Sequence, residues 1–427
     1  MTSIEHAIQN RLDHLPAPLR IRLPSGRLLG PPEAEVEIAF RDMASLMPMA
    51  SGNLGEVGAR IVSGDIGISG SMRALMHVVA ALVPDDGQTQ KPKPWQRVWW
   101  SLTSILRHNR DRDAQQIRFH YDVSDEFYQI WLDPLQVYSC AYFREPDMTL
   151  AQAQVAKLDH ICRKLDLHPG ERFVDIGAGW GGLLLHAAEH YGVDATGITL
   201  SQNQFNHVSR LIQTKGLADR VRIQLCDYRD LQPQQPFDKL ASVGMFEHVG
   251  RANMLRYFQR IHELLRPGGI AMNHGITVTG LDDATVGGHL GDFIEKFIFP
   301  GGELMHVSRA IRIASQAGLE MVDTENLRPH YARTLWCWSD NLEARLPEAE
   351  AVLQKSMPPE RAAQVLRAFR LYLAGCALAF EEGWTSLYQI LLTRPDGPPD
   401  GQAQPSDLPG AGADYPFRRD YIYHRRP

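Results

Sequence analysis

The 427-residue sequence is poor in cysteine, and this excludes a disulfide-built fold. Its five cysteines, Cys140, Cys162, Cys226, Cys337 and Cys376, are scattered and form no C-x-x-C pair. An odd, scattered set in a chain long enough to build a core favours a reducing compartment. We therefore expect a cytoplasmic protein.

An excess of positive charge is also missing. The chain has 44 Lys and Arg against 50 Asp and Glu, a formal net charge of −6 at pH 7. Nucleic-acid-binding proteins usually present a strongly basic surface, so no nucleic acid is expected as a partner. Two local basic stretches, 107–118 and 418–427, are compatible with an anionic surface or with ordinary solvated faces.

Long apolar runs are absent as well. Residues 1–15 contain no signal-peptide core, and the strongest apolar stretch, at 74–83, is too short to cross a bilayer. Any membrane contact is therefore expected to be peripheral. Neither H-E-x-x-H nor G-x-S-x-G occurs, so we predict no metal site and no hydrolase nucleophile.

The overall composition, 44% hydrophobic and 22% charged, is globular, and the length suits two domains. Residues 1–85 mix strand-like and helical patterns, which predicts a small α+β domain. Its strands are expected at 19–30 and 33–40 and its helices around 41–49 and 71–83. A linker is predicted over 86–109 and a Pro- and Gly-rich tail over 394–427.

Strand and helix patterns alternate through the predicted catalytic domain, 110–393. The series includes strands RFVDIG at 172–177 and GGIAMNHGIT at 268–277, and helical patterns return across 339–390. Such alternation predicts an α/β fold with a doubly wound, mostly parallel, Rossmann-like sheet.

One strand ends in a glycine-rich turn, in FVDIGAGWGGLL at 173–184. Glycines there permit positive φ and a close approach of a ligand to the backbone. Gly177, Gly179 and Gly182 satisfy G-x-G-x-x-G, which is weak evidence for a nucleotide cofactor. A dinucleotide and S-adenosylmethionine both fit this turn.

The residues that follow favour S-adenosylmethionine. A dinucleotide site expects a carboxylate about 20 residues after the glycines, to bind a ribose. The corresponding stretch, 196–204, has none and offers Thr199 and Gln204 instead. Asp227 suits an adenine amino group, and Asp175 suits a methionine-type ammonium.

Seven stretches then occur in the order typical of the cyclopropane fatty acid synthase family, which includes the mycolic acid cyclopropane synthases. They are YSCAYF, DIGAGWGG, TGITLSQNQ, DYRD, FEHVG, FIFPGGEL and PHYARTL. Over about 110–392 the sequence resembles this family, which implies an S-adenosylmethionine-dependent methyltransferase acting on lipid double bonds. Ala178 departs from the family pattern, which usually has cysteine there, but alanine fits the same small slot.

The resemblance also implies the site residues. A bound bicarbonate is expected to accept the proton, and its ligands match Cys140, Glu247, His274, Ile276 and Tyr331. The cofactor set is Tyr138, Ser139, Asp175, Gly177, Gly179, Trp180, Gly181, Thr199, Gln204, Asp227 and Tyr228. Each cysteine, histidine or aromatic residue among these, taken singly, is equally compatible with core packing, except Trp180, which lies in the turn itself and is a weaker candidate for the core.

The position of the base decides the product of such a reaction. Methyl addition to an alkene leaves a carbocation, and loss of a proton from the added methyl closes a cyclopropane ring. Loss from a neighbouring carbon gives a methylene- or methyl-branched chain instead. The N-terminal region resembles the lipid-binding domain of phospholipid-acting members, so we expect an unsaturated phospholipid at the inner membrane face. A non-catalytic lipid-binding or transfer protein, and a homodimeric assembly, stay open.

Overall fold

The computed structural model describes residues 9–10, 12–15, 18–50, 54–82, 123–281, 303–395, 415–416 and 419–423. The linker predicted over 86–109, the basic stretch 107–118 and most of the predicted tail lie outside the described residues. So do the first six residues of FIFPGGEL.

The N-terminal region folds into a four-stranded sheet with three helices among its described residues. Its elements are β1 (Leu19–Arg22), β2 (Leu28–Leu29), β3 (Val36–Phe40), α1 (Met43–Ala50), α2 (Leu54–Ser63), β4 (Ile66–Gly70) and α3 (Met72–Leu82). The strand order is β2-β1-β3-β4, with β1 and β3 parallel. The sequence did not predict β4, because its two glycines disfavour a strand.

The second region contains seven described strands. Its elements are α4 (Asp125–Trp131), α5 (Leu150–Lys164), β5 (Arg172–Ile176), α6 (Gly182–Tyr191), β6 (Asp194–Thr199), α7 (Gln202–Thr214), β7 (Val221–Leu225), β8 (Phe237–Val243), α8 (Phe246–Val249), α9 (Met254–Leu264), β9 (Leu265–Val278), α10 (Val307–Gln316), β10 (Glu320–Asn326), α11 (Arg328–Ala344), α12 (Leu346–Gln354), α13 (Pro359–Glu381) and β11 (Thr385–Thr393). Short 3-10 turns lie at Arg251–Asn253 and Asp420–Ile422.

The strand order of this sheet is β10-β11-β9-β8-β5-β6-β7. The five strands from β9 to β7 are parallel, and β11 pairs antiparallel with both β9 and β10. Successive β5 residues face opposite layers: Phe173 packs with α5 and α6, and Val174 with α9 and α10. The predicted doubly wound, mostly parallel fold is confirmed. Chain order reverses between the adjacent strands β5 and β8, where such sheets bind ligands beyond the strand ends.

The helical prediction across 339–390 was wrong at its end. The helix α13 finishes at Glu381, Gly383 follows with a φ of +73°, and β11 then begins. Eight of the nine β11 residues are buried, so this strand lacks the polar–apolar alternation by which a half-exposed strand is recognised.

The two regions share one apolar core. By length and composition α13 could cross a membrane, but it packs against α2, α3, α11 and α12. A single cluster of buried side chains includes Leu75 of α3, Phe127 of α4 and Leu366 of α13. The N-terminal sheet and the helices over the second region are therefore packed as one body.

The C-terminal turn Asp420–Ile422 packs against α5. Ile422 is only 1% exposed. Tyr421 Oη donates to Lys164 O at 3.4 Å, and Arg163 Nη1 donates to Tyr423 O at 3.1 Å. Part of the predicted tail thus packs over the last turn of this helix.

Replacing Ile422 with alanine should lower the free energy of unfolding by about 2 kcal/mol, because a buried side chain is truncated. Chemical denaturation measures this, with Leu225→Ala as control, since Leu225 is 47% exposed. A loss no larger than that of the control would contradict the anchoring of the turn.

Candidate active site

The predicted glycine turn lies between β5 and α6. Gly177, Gly179 and Gly181 have φ values of +81°, +54° and +88°. Residues other than glycine rarely adopt this conformation, which accounts for the repeated glycines. The backbone N–H groups of Gly177 and Ala178 both donate to Ile198 O, at 3.0 and 2.9 Å, so the turn is held against β6.

Close packing on both sides of the turn limits side-chain size. A Cβ at Gly177 would lie 2.5 Å from Met245 Cγ. On the next strand, a Cβ at Gly197 would lie 2.9 Å from the Cβ of Ala178. Ala178, the departure from the family pattern, is buried and packs closely against Gly197.

Aromatic side chains flank the turn. The rings of Trp180 and Tyr138 both pack on Tyr128, with centroids 6.3 and 5.6 Å away. Tyr138 Oη donates to Tyr372 Oη at 3.2 Å. Trp180 Nε1 is buried and has no hydrogen-bond partner among the described residues. The two predicted cofactor aromatics thus belong to one wall.

Three predicted polar residues are buried at the carboxyl ends of β5 and β6. Asp175 is 2% exposed, and burial raises the pKa of its carboxyl group to about 7. Thr199 Oγ1 donates to Gln204 Oε1 at 2.7 Å. Because β5 and β6 are parallel neighbours, these groups meet at one edge of the sheet.

Two further predicted cofactor residues, Asp227 and Tyr228, already have partners within the protein. Asp227 accepts hydrogen bonds from Arg229 Nε at 2.8 Å and Nη2 at 2.6 Å through its two carboxylate oxygens. Tyr228 is buried in the apolar layer beneath the sheet, with its ring 5.5 Å from that of Tyr257. Tyr228 therefore occupies a core position, which is the alternative that the sequence left open.

Glu247 is held where β8 ends. Gly244 N makes the last backbone bond to β9, to His274 O at 2.9 Å. Further along β9, Ile276 N donates to Glu247 Oε1 at 2.6 Å. The carboxylate therefore satisfies a backbone donor that the shorter strand no longer reaches.

Two polar atoms beside this bond have no partner within the described part of the chain: Glu247 Oε2 and His274 Nε2. Burial raises the pKa of Glu247 to about 7 and lowers the pKa of His274 well below its usual range. Gln389 Nε2 lies 3.2 Å from His274 Nδ1. When the amide donates there, the neutral ring carries its proton on Nε2, which leaves one free acceptor and one free donor.

Cys140 and Tyr331 both contact the backbone carbonyl group of Leu327. Cys140 Sγ lies 3.9 Å from Leu327 O, and Tyr331 N donates to the same carbonyl at 3.0 Å. Leu327 N donates in turn to Leu387 O at 2.8 Å, and Leu387 is the cross-strand neighbour of Ile276. Leu327 and Leu387 thus connect the segments that carry Cys140 and Tyr331 to β9, and the link to Tyr331 is made by its backbone. Burial raises the pKa of the Cys140 thiol, so the thiol stays protonated.

Three residues that shape the site were not predicted. Gln389 orients the imidazole, and Lys157 donates from its buried ammonium to Ser139 Oγ at 2.8 Å. Gly275 lets α8 approach β9, because a Cβ there would lie 2.8 Å from Phe246 Cβ. A glycine inside a strand and a lysine on an apolar helix face were the available signals.

Substituting alanine for Gly177 should weaken S-adenosylmethionine binding by at least about tenfold, because the new Cβ displaces Met245 and strains the turn. Calorimetric titration tests this. Gly170→Ala is the matched control, since Gly170 has a φ of +84° but open space at its Cβ. Equal affinities in the two variants would contradict the tight contact.

The variant Glu247→Gln should remove a pH dependence of stability. A folded pKa of about 7, above the ordinary 4.5, favours the folded state at low pH, and this benefit is lost as pH rises through 7. Between pH 6 and pH 8 the wild type should lose about 1 kcal/mol of unfolding free energy relative to the variant. Denaturation at both pH values measures the difference, and parallel pH curves would exclude the raised pKa.

Comparison with known proteins agrees with this geometry. The family model "Mycolic acid cyclopropane synthetase" matches residues 108–390. A "Probable fatty acid methyltransferase" of Pseudomonas putida is 43% identical over 386 residues, covering 90% of this chain and 94% of that protein. Cyclopropane mycolic acid synthase 1 of Mycobacterium tuberculosis is 37% identical over 282 residues, covering 64% of this chain and 95% of that protein.

Solved structures give the same relationship. Mycolic acid cyclopropane synthase CmaA1, complexed with SAH and CTAB, aligns with a TM-score of 0.60 at 36% identity, covering 66% of this chain and 98% of that one. A coclaurine N-methyltransferase bound to SAH has a TM-score of 0.62 at 21% identity, which supports the fold alone. The glycine turn, the Glu247 site and these relatives together show that the chain belongs to the cyclopropane synthase family of S-adenosylmethionine-dependent methyltransferases.

Proposed function

We propose that this protein transfers a methylene group from S-adenosylmethionine to the cis double bond of an unsaturated phospholipid acyl chain, forming a cyclopropane ring. The observation that carries the proposal is that two buried polar atoms, Glu247 Oε2 and His274 Nε2, have no hydrogen-bond partner among the described residues. Both lie near the cofactor turn, because Met245, two residues before Glu247, packs on Gly177. A proton-handling site thus adjoins the methyl-donor site.

The surrounding side chains suit a reaction whose carbocation would otherwise react with water. When bound, S-adenosylmethionine supplies the electrophilic methyl group, and the chain must hold it in line with the alkene. The ring of Tyr331 lies 4.6 Å from that of Phe380 and 6.1 Å from that of Trp338. Such aromatic walls exclude water from a cation that would otherwise be captured.

Bicarbonate would suit these two atoms, which lack partners within the described part of the chain. Hydrogen carbonate presents oxygen acceptors to His274 Nε2–H and one O–H donor to Glu247 Oε2, and it would supply the proton acceptor of the reaction. Buried anions need donors on several sides, and the segments that carry Cys140 and Tyr331 are linked to β9 through Leu327. Because the pKa of Glu247 is raised to about 7, its carboxyl group is also protonated part of the time at neutral pH. Oε2 then donates to the anion instead of accepting from it, and the repulsion between two anions is avoided.

The lipid is proposed to be reached at the inner face of the membrane, with the protein bound peripherally from the cytoplasm. On α1, Met43 and Met47 are 60% and 68% exposed. The Arg41 side chain beside them is 74% exposed. Exposed apolar side chains next to a cation suit shallow insertion among anionic headgroups.

Purified protein, S-adenosylmethionine and liposomes of unsaturated phospholipids should give lipid heavier by one CH₂, with cyclopropyl protons at unusually high field. Mass spectrometry and proton NMR measure both properties. A methylene- or methyl-branched product would replace the cyclopropane proposal by the second candidate, with which the name of the Pseudomonas putida relative, a probable fatty acid methyltransferase, is equally compatible. No mass gain with any unsaturated phospholipid would contradict both.

The variant Glu247→Gln serves as the control. It should bind S-adenosylhomocysteine normally while turnover falls by about 100-fold or more, because proton transfer is impaired. Near-normal turnover would show that the proton acceptor lies elsewhere.

A further inference from the structure

An aromatic cluster joins four separate parts of the chain: Tyr142, His160, His330 and Tyr423. The ring of Tyr142 stacks on that of His160, with centroids 4.1 Å apart and planes inclined by 14°. It also stacks on the ring of His330, with centroids 4.8 Å apart and planes inclined by 22°. The ring of Tyr423 lies 5.8 Å from that of His160. The cluster therefore connects the C-terminal end of the described chain to Tyr142, which lies two residues after Cys140.

Polar contacts at the ring edges hold the two imidazoles of this cluster. His160 Nε2 lies 2.7 Å from Glu325 Oε2, and the backbone of Ile422 approaches the same ring. Phe143 N donates to His330 Nδ1 at 3.1 Å. Because hydrogen bonds are directional, they set the rotation of each imidazole as well as its position.

The segment 138–143, which carries Cys140, depends on contacts with its neighbours. Its residues belong to neither a helix nor a strand. Ala141 N donates to Thr334 Oγ1 of α11 at 3.0 Å, instead of to a neighbouring strand or helical turn. A segment without regular backbone pairing keeps its shape only through such contacts. The position of Cys140 thus depends on the groups that hold Tyr142.

The C-terminal turn is anchored by contacts outside the aromatic cluster. Ile422 is 1% exposed, and Arg163 Nη1 of α5 donates to Tyr423 O at 3.1 Å. Arg419 Nη2 donates to Val322 O of β10 at 3.3 Å. Since α5 and β10 hold the turn, the turn can in turn support the cluster.

We infer that the C-terminal turn and Tyr423 position the segment that carries Cys140, through the aromatic cluster. They are positioning residues, because they act on the site through other side chains. The inference goes beyond the proposed function: it assigns a role to part of the predicted tail, and it does not depend on the lipid or the product.

The test measures how fast a thiol reagent alkylates Cys140 in the full-length protein, with mass spectrometry to identify the modified cysteine. Cys140 is 0% exposed, so it reacts only when the segment around it opens. Ile422→Ala should raise this rate by about tenfold, because the open segment becomes more populated when its support is weakened. Turnover should fall by about tenfold in the same variant, because the site is held less precisely.

Ile212→Ala is the matched control. Ile212 is 4% exposed and lies on α7, which packs against β7 at the opposite edge of the sheet from β10. The control should lose a similar free energy of unfolding, about 2 kcal/mol. It should nevertheless leave the alkylation rate of Cys140 and the turnover within about twofold of wild type, because opening of the segment does not disturb Ile212.

Two further substitutions test the connection itself. Tyr142→Leu removes the stacked ring and should raise the alkylation rate by about tenfold, whereas Tyr142→Phe keeps the ring and should resemble wild type. Combining Tyr142→Leu with Ile422→Ala should raise the rate by less than the product of the separate effects, since both act through one cluster. If Ile422→Ala folds poorly, Tyr423→Ala replaces it, because Tyr423 is 51% exposed and its loss costs little stability.

An equal rise in the alkylation rate with Ile422→Ala and Ile212→Ala would overturn the inference, because Cys140 would then react only through global unfolding. An unchanged rate with Ile422→Ala would overturn it as well, and so would normal turnover together with faster alkylation. Alkylation needs no substrate, so this result is independent of whether the proposed lipid reaction is found.

Discussion

The hydrogen bond from Ile276 N to Glu247 Oε1 is the contact on which the site depends. It exists because β8 stops before β9 does, so that a backbone donor in the centre of the sheet needs a side chain as partner. That side chain is thereby fixed close to His274 and, through Met245, close to the glycine turn. Holding a carboxylate in so buried a place costs stability when it ionises, and the same burial brings its pKa near neutrality.

Local signals predicted the sheet and the glycine turn, because strand–helix alternation and a run of glycines can be recognised from residues that are close together in the sequence. The five residues around the proton acceptor came from family resemblance, since the elements that carry them are distant along the chain. Lys157 and Gln389 escaped prediction because their partners lie 18 and 115 residues away. The strand β11 escaped because only residues 382–384 separate it from α13, so its buried apolar residues continue the apolar pattern of that helix.

Helix α5 holds parts of the molecule on two sides. Toward the site, Gln154 and Lys157 fix the segment that ends at Cys140. Near its end, His160 and Lys164 contact Glu325 on β10 at 2.7 and 2.6 Å. Although burial opposes it, these two contacts lower the pKa of Glu325 to about 2, so the carboxylate stays charged. The helix is thereby tied to the far edge of the sheet and to the C-terminal turn, which limits its movement relative to the cofactor.

The continuous core of the N-terminal sheet and α13 has a thermodynamic consequence. A module on a flexible tether could fold and open independently, whereas one that shares its buried side chains gains or loses stability together with its neighbour. Any ligand that binds the second region more tightly in its folded state therefore also stabilises the N-terminal sheet, through linkage. Binding of the cofactor and folding of the surface around α1 are therefore coupled, because both belong to one cooperative folding unit.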